Sequence, residues 1–193
     1  INPVNTMLTP SEIIYVVNDC RAQTIICSED KIEALKDIRE HTQIRNIISF
    51  GKETNQCQSF SSILARNLSI KNEPNVSPRD LSTIAYTSGT TGHPKGAMQS
   101  HEAVILNGSM TSQLHMRGTD DIVVSALPCP HVYANVLMTG MMMFGTKLIL
   151  HKIFEVDAIF ESIKANKATI FDGVPTMYMF MLNSPNLKNS DLS

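Results

Sequence analysis

Residues 121–150, DIVVSALPCPHVYANVLMTGMMMFGTKLIL, decide the fold class. Ile122–Leu127 is a short apolar run, which predicts a buried strand. Val132–Phe144 is long enough for a helix, and Lys147–Leu150 predicts a second strand. Strand, helix and strand in so short a stretch imply a right-handed crossover between parallel strands. The same alternation continues toward the carboxyl end, with a helix over Glu155–Asn166, a strand over Thr169–Phe171 and a helix over Pro175–Leu182. Toward the amino end, Leu81–Thr87 predicts a strand and Ser100–Leu114 a helix. The fold class is α/β, a largely parallel sheet built from strand–helix crossovers.

Residues 10 to 70 repeat the alternation in shorter pieces. Thr9–Glu12 (TPSE) has the form of a capping box with Pro10 at the first helical position, opening onto Ile13, Ile14, Val16 and Val17. Thr24–Cys27 predicts a strand, Asp30–His41 an amphipathic helix, Ile44–Phe50 a strand and Phe60–Arg66 a short helix. The polar stretch Lys71–Asp80 (KNEPNVSPRD), with two prolines, predicts a connection. The expected organisation is therefore an α/β segment over 1–70, a connection over 71–80 and a second α/β segment over 81–193.

Composition excludes several classes. With 42% hydrophobic residues among 193, the chain has enough apolar material for a core. Lys and Arg number 16 against 18 Asp and Glu, a net charge of -2, so the basic excess of a nucleic-acid binder is missing. Arg39, Arg45, Arg66, Arg79 and Arg117 are scattered. The four cysteines, Cys20, Cys27, Cys57 and Cys129, show neither CxxC pairing nor ligand spacing with His. A reducing, cytoplasmic setting is expected from that usage. The longest apolar stretch, Val136–Phe144, falls short of the roughly 20 residues of a membrane span. The opening INPVNTMLTPSE has neither an initiator Met nor the form of a signal peptide, and the chain is expected to be cut from something longer.

The chemistry concentrates at Tyr86–Gly96, YTSGTTGHPKG. Gly89, Gly92 and Gly96 allow backbone N–H groups to approach an anion with no Cβ in the way. Thr87, Ser88, Thr90 and Thr91 offer hydroxyl donors, Lys95 a positive charge, and Pro94 stiffens the approach to it. Between a predicted strand and a predicted helix, such a loop is expected to cradle phosphate. A plain flexible connector would account for the glycines and hydroxyls but not for Pro-Lys-Gly at that offset. Neither Walker A nor GxGxxG is present.

The ten positions Thr87–Gly96 closely resemble the phosphate loop of the adenylate-forming, or AMP-binding, superfamily. INPVNTMLTPSEIIYVVND, LPCPHVYA and FDGVPTMY resemble further segments of that family, and long-chain fatty-acyl and related acyl-CoA synthetases look nearest. The resemblance covers nearly the whole chain, which is well under half of a complete member. It implies the large amino-terminal domain of an acyl-CoA synthetase-like fold and a two-step reaction. A carboxylic acid, of the fatty type, would become an acyl-adenylate at the expense of ATP, and CoA would then take the acyl group as a thioester. Carried over position by position, Thr87, Ser88, Gly89, Thr90, Thr91, Gly92 and Lys95 would hold the phosphates. Mg2+ would bridge them, with Thr91 as a contributing hydroxyl. Lys95 and His131 would be the catalytic pair. His131 corresponds to the family's aromatic-His element, although Pro130 stands where an aromatic is more usual.

Tyr133 and Val136 follow His131 on the same element and are expected to line the acyl pocket with it. Of the 11 methionines, those at Met138, Met141–Met143, Met177, Met179 and Met181 are expected to fill core space, the alternative being the lining of an acyl pocket. The alternatives within the superfamily are an aryl-CoA ligase or a carrier-protein adenylation domain. A nucleotide-binding module without turnover is the alternative outside enzymes. In the family's pattern, parts of the site lie beyond this stretch, so the isolated chain is expected to be inactive and to self-associate.

Overall fold

The computed structural model describes residues 1–69, 72–87 and 94–192. The chain divides into two compact units. One comprises Asn2–Ser77 with Tyr86–Ala97; the other comprises Ile1, Pro78–Ala85 and Met98–Ser193.

In the Asn2–Ser77 unit, helix α1 spans Pro10–Asp19 and starts as the TPSE signature requires: the Thr9 side chain accepts from the Glu12 N–H while the Glu12 carboxylate accepts from the Thr9 N–H at 2.8 Å. Its apolar stripe buries Val16 and Val17. Strands β1 (Thr24–Cys27), β2 (Asn46–Ser49) and β3 (Gln58–Ser59) form a parallel sheet in that order, with Ile26 opposite Ile48 and Ser49 opposite Ser59. Val17, Leu35, Ile38, Ile44, Ile47 and Cys57 make its core. The expected helix over Asp30–His41 is replaced by 3-10 turns at Glu29–Lys31 and Glu33–Leu35 and a short helix α2, Ile38–His41. The inward residues Ile32, Leu35 and Ile38 are three apart, the repeat of a 3-10 turn, in which residues i and i+3 eclipse. Helix α3 follows at Phe60–Ala65.

Strands β4 (Leu81–Thr87) and β5 (Lys95–Ser100) pair with each other in a two-stranded sheet. The connection 88–94 is far too short for a parallel crossover. Here the structure corrects the sequence expectation, which ran from the loop straight into a helix. Lys95–Ser100 is extended, and the helix α4, His101–Leu114, begins only after Ser100, whose hydroxyl accepts from the Ala103 N–H at 3.1 Å.

The second unit holds the crossovers expected over 121–182. Strands β6 (Ile122–Ser125), β7 (Lys147–Leu150) and β8 (Ile170–Asp172) form a parallel sheet ordered β7-β6-β8. Val124 lies opposite both Ile149 and Phe171, and Ser125 lies opposite Asp172. Helix α5 (Val132–Phe144) joins β6 to β7 and ends at Gly145, whose φ of 71° is the left-handed cap position that favours glycine. Helix α6 (Val156–Asn166) joins β7 to β8, and α7 (Pro175–Leu182) follows β8. Val124, Ala126, Ile159, Phe160, Ile163 and Met181 form one core cluster. Leu127, Ala134 and Leu137 form another, with Tyr133 and Val174 against it.

Helices α4 and α5 pack closely where small residues face each other. A Cβ built on Gly108 would sit 2.9 Å from Thr139 Cγ2, and one on Gly140 would sit 2.7 Å from Ser112 Oγ. The methionines divide. Met181 is buried and Met138, Met141 and Met177 are half-buried, whereas Met142, Met143 and Met179 are exposed. Among the described residues no helix is long and apolar enough to cross a membrane.

Candidate active site

Two groups of candidate residues arise from the sequence, one in each compact unit. In the first, β4 delivers Tyr86 and Thr87 and β5 opens with Lys95 and Gly96 after Pro94. Ser88, Gly89, Thr90, Thr91 and Gly92 lie outside the described residues. Thr87 and Lys95 are exposed at the ends of their strands, on either side of residues 88–94. The segment after Pro94 is the strand β5, and α4 starts only at His101, so no helix terminus directly follows position 94.

Tyr86, one residue before the loop, is fixed at its far end. Its hydroxyl donates to the Asp19 carboxylate at the end of α1. Burial, and then this bond to a carboxylate, push the phenol above its ordinary range. Tyr86 is thereby tied to α1 immediately ahead of Thr87.

The second group lies at the carboxyl ends of β6 and β8, the edge where open α/β sheets bind ligands. After β6 the chain runs through buried Ala126 and Leu127 to Pro128, Cys129 and Pro130, then turns into α5. His131 is the residue before the helix. Its N–H donates to the Pro128 carbonyl at 2.9 Å, and its Nδ1 accepts from the Tyr133 N–H at 3.3 Å. The imidazole thus caps α5, and in the neutral ring the proton resides on Nε2. The ring is exposed.

Tyr133, half-buried, turns its hydroxyl to Asp172 Oδ1 at 2.9 Å. The other carboxylate oxygen, Oδ2, receives Arg117 Nη2 at 2.6 Å, in an ion pair whose side chains are 4% and 7% exposed. The Asp172 carbonyl accepts from Ser125 Oγ at 2.8 Å, and that oxygen accepts in turn from the Leu127 N–H at 3.2 Å. Burial raises the Tyr133 phenol, and the bond to Asp172 and its negative charge add to the shift. Val136 is buried and borders a small hollow with Gln99, Val104, Asn107, Val132 and Asn135. Tyr133 and Val136 therefore have different neighbours, one facing β8 and the other the hollow beside α4.

Arg117 and Asp172 are the residues that sequence reasoning missed. Arg117 stands in the polar HMRGTDD and carries no signal of its own, whereas Asp172 is a lone charge within the apolar ATIFDGVP, and a charge that must be buried there needs a partner. That pattern is a visible signal, though it does not say which partner. Among the described residues no three His, Cys, Asp or Glu side chains converge as a metal site. Thr91, the expected metal contact, lies outside them.

The chain belongs to the AMP-binding enzyme family, whose profile matches residues 1–193. Among its relatives is the indoleacetate–CoA ligase of Aromatoleum aromaticum, 28% identical over 99% of this chain and 38% of its own length. A 4-coumarate–CoA ligase of Nicotiana tabacum is 27% identical over 98% of this chain and 36% of its own. A long-chain-fatty-acid–CoA ligase of Archaeoglobus fulgidus superposes with a TM-score of 0.85 at 26% identity, covering 97% of this chain and 37% of that one. ATP-bound MatB of Rhodopseudomonas palustris gives 0.81 at 28% identity, covering 96% and 36%. The chain thus spans well under half the length of these relatives.

Proposed function

We propose that the full-length protein activates a carboxylic acid with ATP and transfers the acyl group to CoA. The observation that carries this reading is the family match over all of 1–193, which includes the ten-position loop Thr87–Gly96. In the first step a carboxylate oxygen forms a bond to the α-phosphorus of ATP, the α–β bridging bond breaks and diphosphate leaves. In the second, the CoA thiolate forms a bond to the acyl carbon, the acyl–phosphate C–O bond breaks and AMP leaves.

Such displacements depend on positioning and on stabilising charge at the phosphate oxygens. Thr87, Ser88, Gly89, Thr90, Thr91, Gly92 and Lys95 are assigned to hold the phosphates, with Lys95 beside the departing diphosphate. Magnesium enters as a companion of those phosphates. His131 is assigned to the region of the reacting carboxylate, and Tyr133 and Val136 to the acyl side. A fatty acid is supported by the likeness to the long-chain-fatty-acid–CoA ligase, and an aromatic acid by the indoleacetate and 4-coumarate ligases. Cysteine usage supports a cytoplasmic setting.

The test is ATP–diphosphate exchange by the full-length protein against a panel of fatty, phenylpropenoic and indole acids, followed by thioester formation with CoA. Exchange that depends on one acid class, with the matching acyl-CoA as product, is expected. Exchange with none of them would reject the reading in favour of a binding module without turnover.

A further inference from the structure

The carboxyl ends of adjacent parallel strands β6 and β8 are stitched to the first turn of α5 by one buried side chain. Asp172 closes β8, opposite Ser125 at the end of β6. Its backbone carbonyl takes the Ser125 hydroxyl, one carboxylate oxygen takes Arg117, and the other takes the Tyr133 hydroxyl. Tyr133 in turn gives its N–H to His131 Nδ1. Tyr133 packs against the cluster of Leu127, Ala134 and Leu137, and Asp172 holds its polar end.

A buried carboxylate is costly, and a hydrophobic residue would suit β8 packing as well. The pair is not ideally satisfied, since Arg117 Nε is buried with no partner among the described residues. Stability alone is therefore a poor account of these charges. What the carboxylate does add is a fixed, charge-assisted acceptor for one tyrosine on the element that carries His131.

We infer that Asp172 is a positioning residue: held by Arg117, it orients Tyr133 and with it the His131 turn that borders the acyl side. This inference rests on the assignment of His131 and Tyr133 to the carboxylic-acid side of an adenylating site. It makes the Tyr133 hydroxyl a structural tether, leaving the ring and not the phenol as the surface presented to substrate.

The experiment compares wild type, Tyr133→Phe, Asp172→Asn and Asp172→Ala of the full-length protein in acid-dependent ATP–diphosphate exchange. Separate titrations of acid and ATP are run, with thermal unfolding in parallel. Tyr133→Phe keeps both the ring and the buried ion pair, and should raise KM for the acid about 5- to 10-fold while KM for ATP stays within about two-fold. Asp172→Asn retains an amide oxygen that can accept from Tyr133, and should raise the acid KM less than Asp172→Ala while losing thermal stability with it. A merely structural role would lower the unfolding temperature and the amount of active enzyme without separating acid from ATP. An unchanged acid KM in Tyr133→Phe, or equal rises for acid and ATP, would overturn the inference and leave the adenylation reading standing. Absence of acid-dependent exchange in the wild type would overturn both.

Discussion

Replacing Arg117 by Gln removes the cation that faces Asp172 and leaves a carboxylate that is 7% exposed without its charge partner. Breaking a buried pair from one side costs about 3–5 kcal/mol, because the remaining charge stays desolvated. With a urea dependence of about 2–3 kcal/mol per molar for the cooperative unit that holds the pair, its unfolding midpoint should fall by about 1–2.5 M. The double variant Arg117→Gln/Asp172→Asn offers a sharper reading. It removes both charges together while an amide at each position still supplies hydrogen bonds, including an acceptor for the Tyr133 hydroxyl. Since Arg117 Nε is unpartnered among the described residues, the native pair recovers only part of its desolvation cost. The double variant should therefore regain more than half of the midpoint lost by Arg117→Gln. Urea unfolding of the full-length protein, read by pulse proteolysis so that the fraction folded is counted directly, makes the comparison. A loss below about 1 kcal/mol in Arg117→Gln would show that the pair is not buried as described. A double variant as unstable as the sum of the two singles would refute the argument that the charges, rather than the packing, set the penalty.

Further outcomes concern the helix packing, the lysine at position 95 and the raised phenols. Gly108→Val should destabilise by about 1–3 kcal/mol, because a Cβ there already comes within 2.9 Å of Thr139 Cγ2 in the packed neighbour α5. Gly118→Ala, whose Cβ meets nothing within 4 Å, should be neutral or slightly stabilising, and the two are compared by thermal unfolding. Lys95→Ala should slow adenylate formation by about 2–4 kcal/mol in barrier while sparing thioester formation from supplied acyl-adenylate, since diphosphate is absent from the second step; equal losses in both half-reactions would contradict the assignment. The raised phenols of Tyr86, Tyr133 and Tyr178 bind their protons more tightly in the folded than in the unfolded chain. Their contribution is therefore complete below the ordinary tyrosine value of about 10 and is lost as pH rises beyond it. Alkaline unfolding followed by phenolate absorbance should show that loss, and Tyr86→Phe should weaken its pH dependence.

The crossovers over 121–182 were legible because each element announces itself locally. Val132–Phe144, Lys147–Leu150 and Pro175–Leu182 are found at the predicted bounds, and Thr9 caps α1 through Glu12 as its spacing requires. The failures have physical reasons. Ile32, Leu35 and Ile38 recur every third residue, a spacing that matches the repeat of the 3-10 turns at Glu29–Lys31 and Glu33–Leu35 better than the 3.6 of one continuous α-helix. Lys95–Ser100 becomes a strand because β4 offers it a backbone partner, and no pattern within KGAMQS announces that pairing. β3, only Gln58–Ser59, is too short to have a periodicity at all.

The candidate site divides along the same line. The phosphate loop is a proposal the sequence can carry because its expected chemistry is consecutive: glycines, hydroxyls and a lysine stand next to one another in the chain. The Asp172 network is assembled from positions 117, 125, 133 and 172: the alignment of β6 with β8 sets Ser125 against Asp172, and the turn after α4 and the start of α5 bring Arg117 and Tyr133 to it. A sequence scan sees the lone charge in ATIFDGVP and can infer that it needs a cation, but any of the scattered arginines would serve on composition alone. The ion pair singles out Arg117, which follows α4, and the hydrogen bond from the first turn of α5 singles out Tyr133. His131 shows both regimes at once. Its type and its place after a strand were readable, whereas its orientation depends on Tyr133, and that of Tyr133 on a carboxylate 39 residues further along.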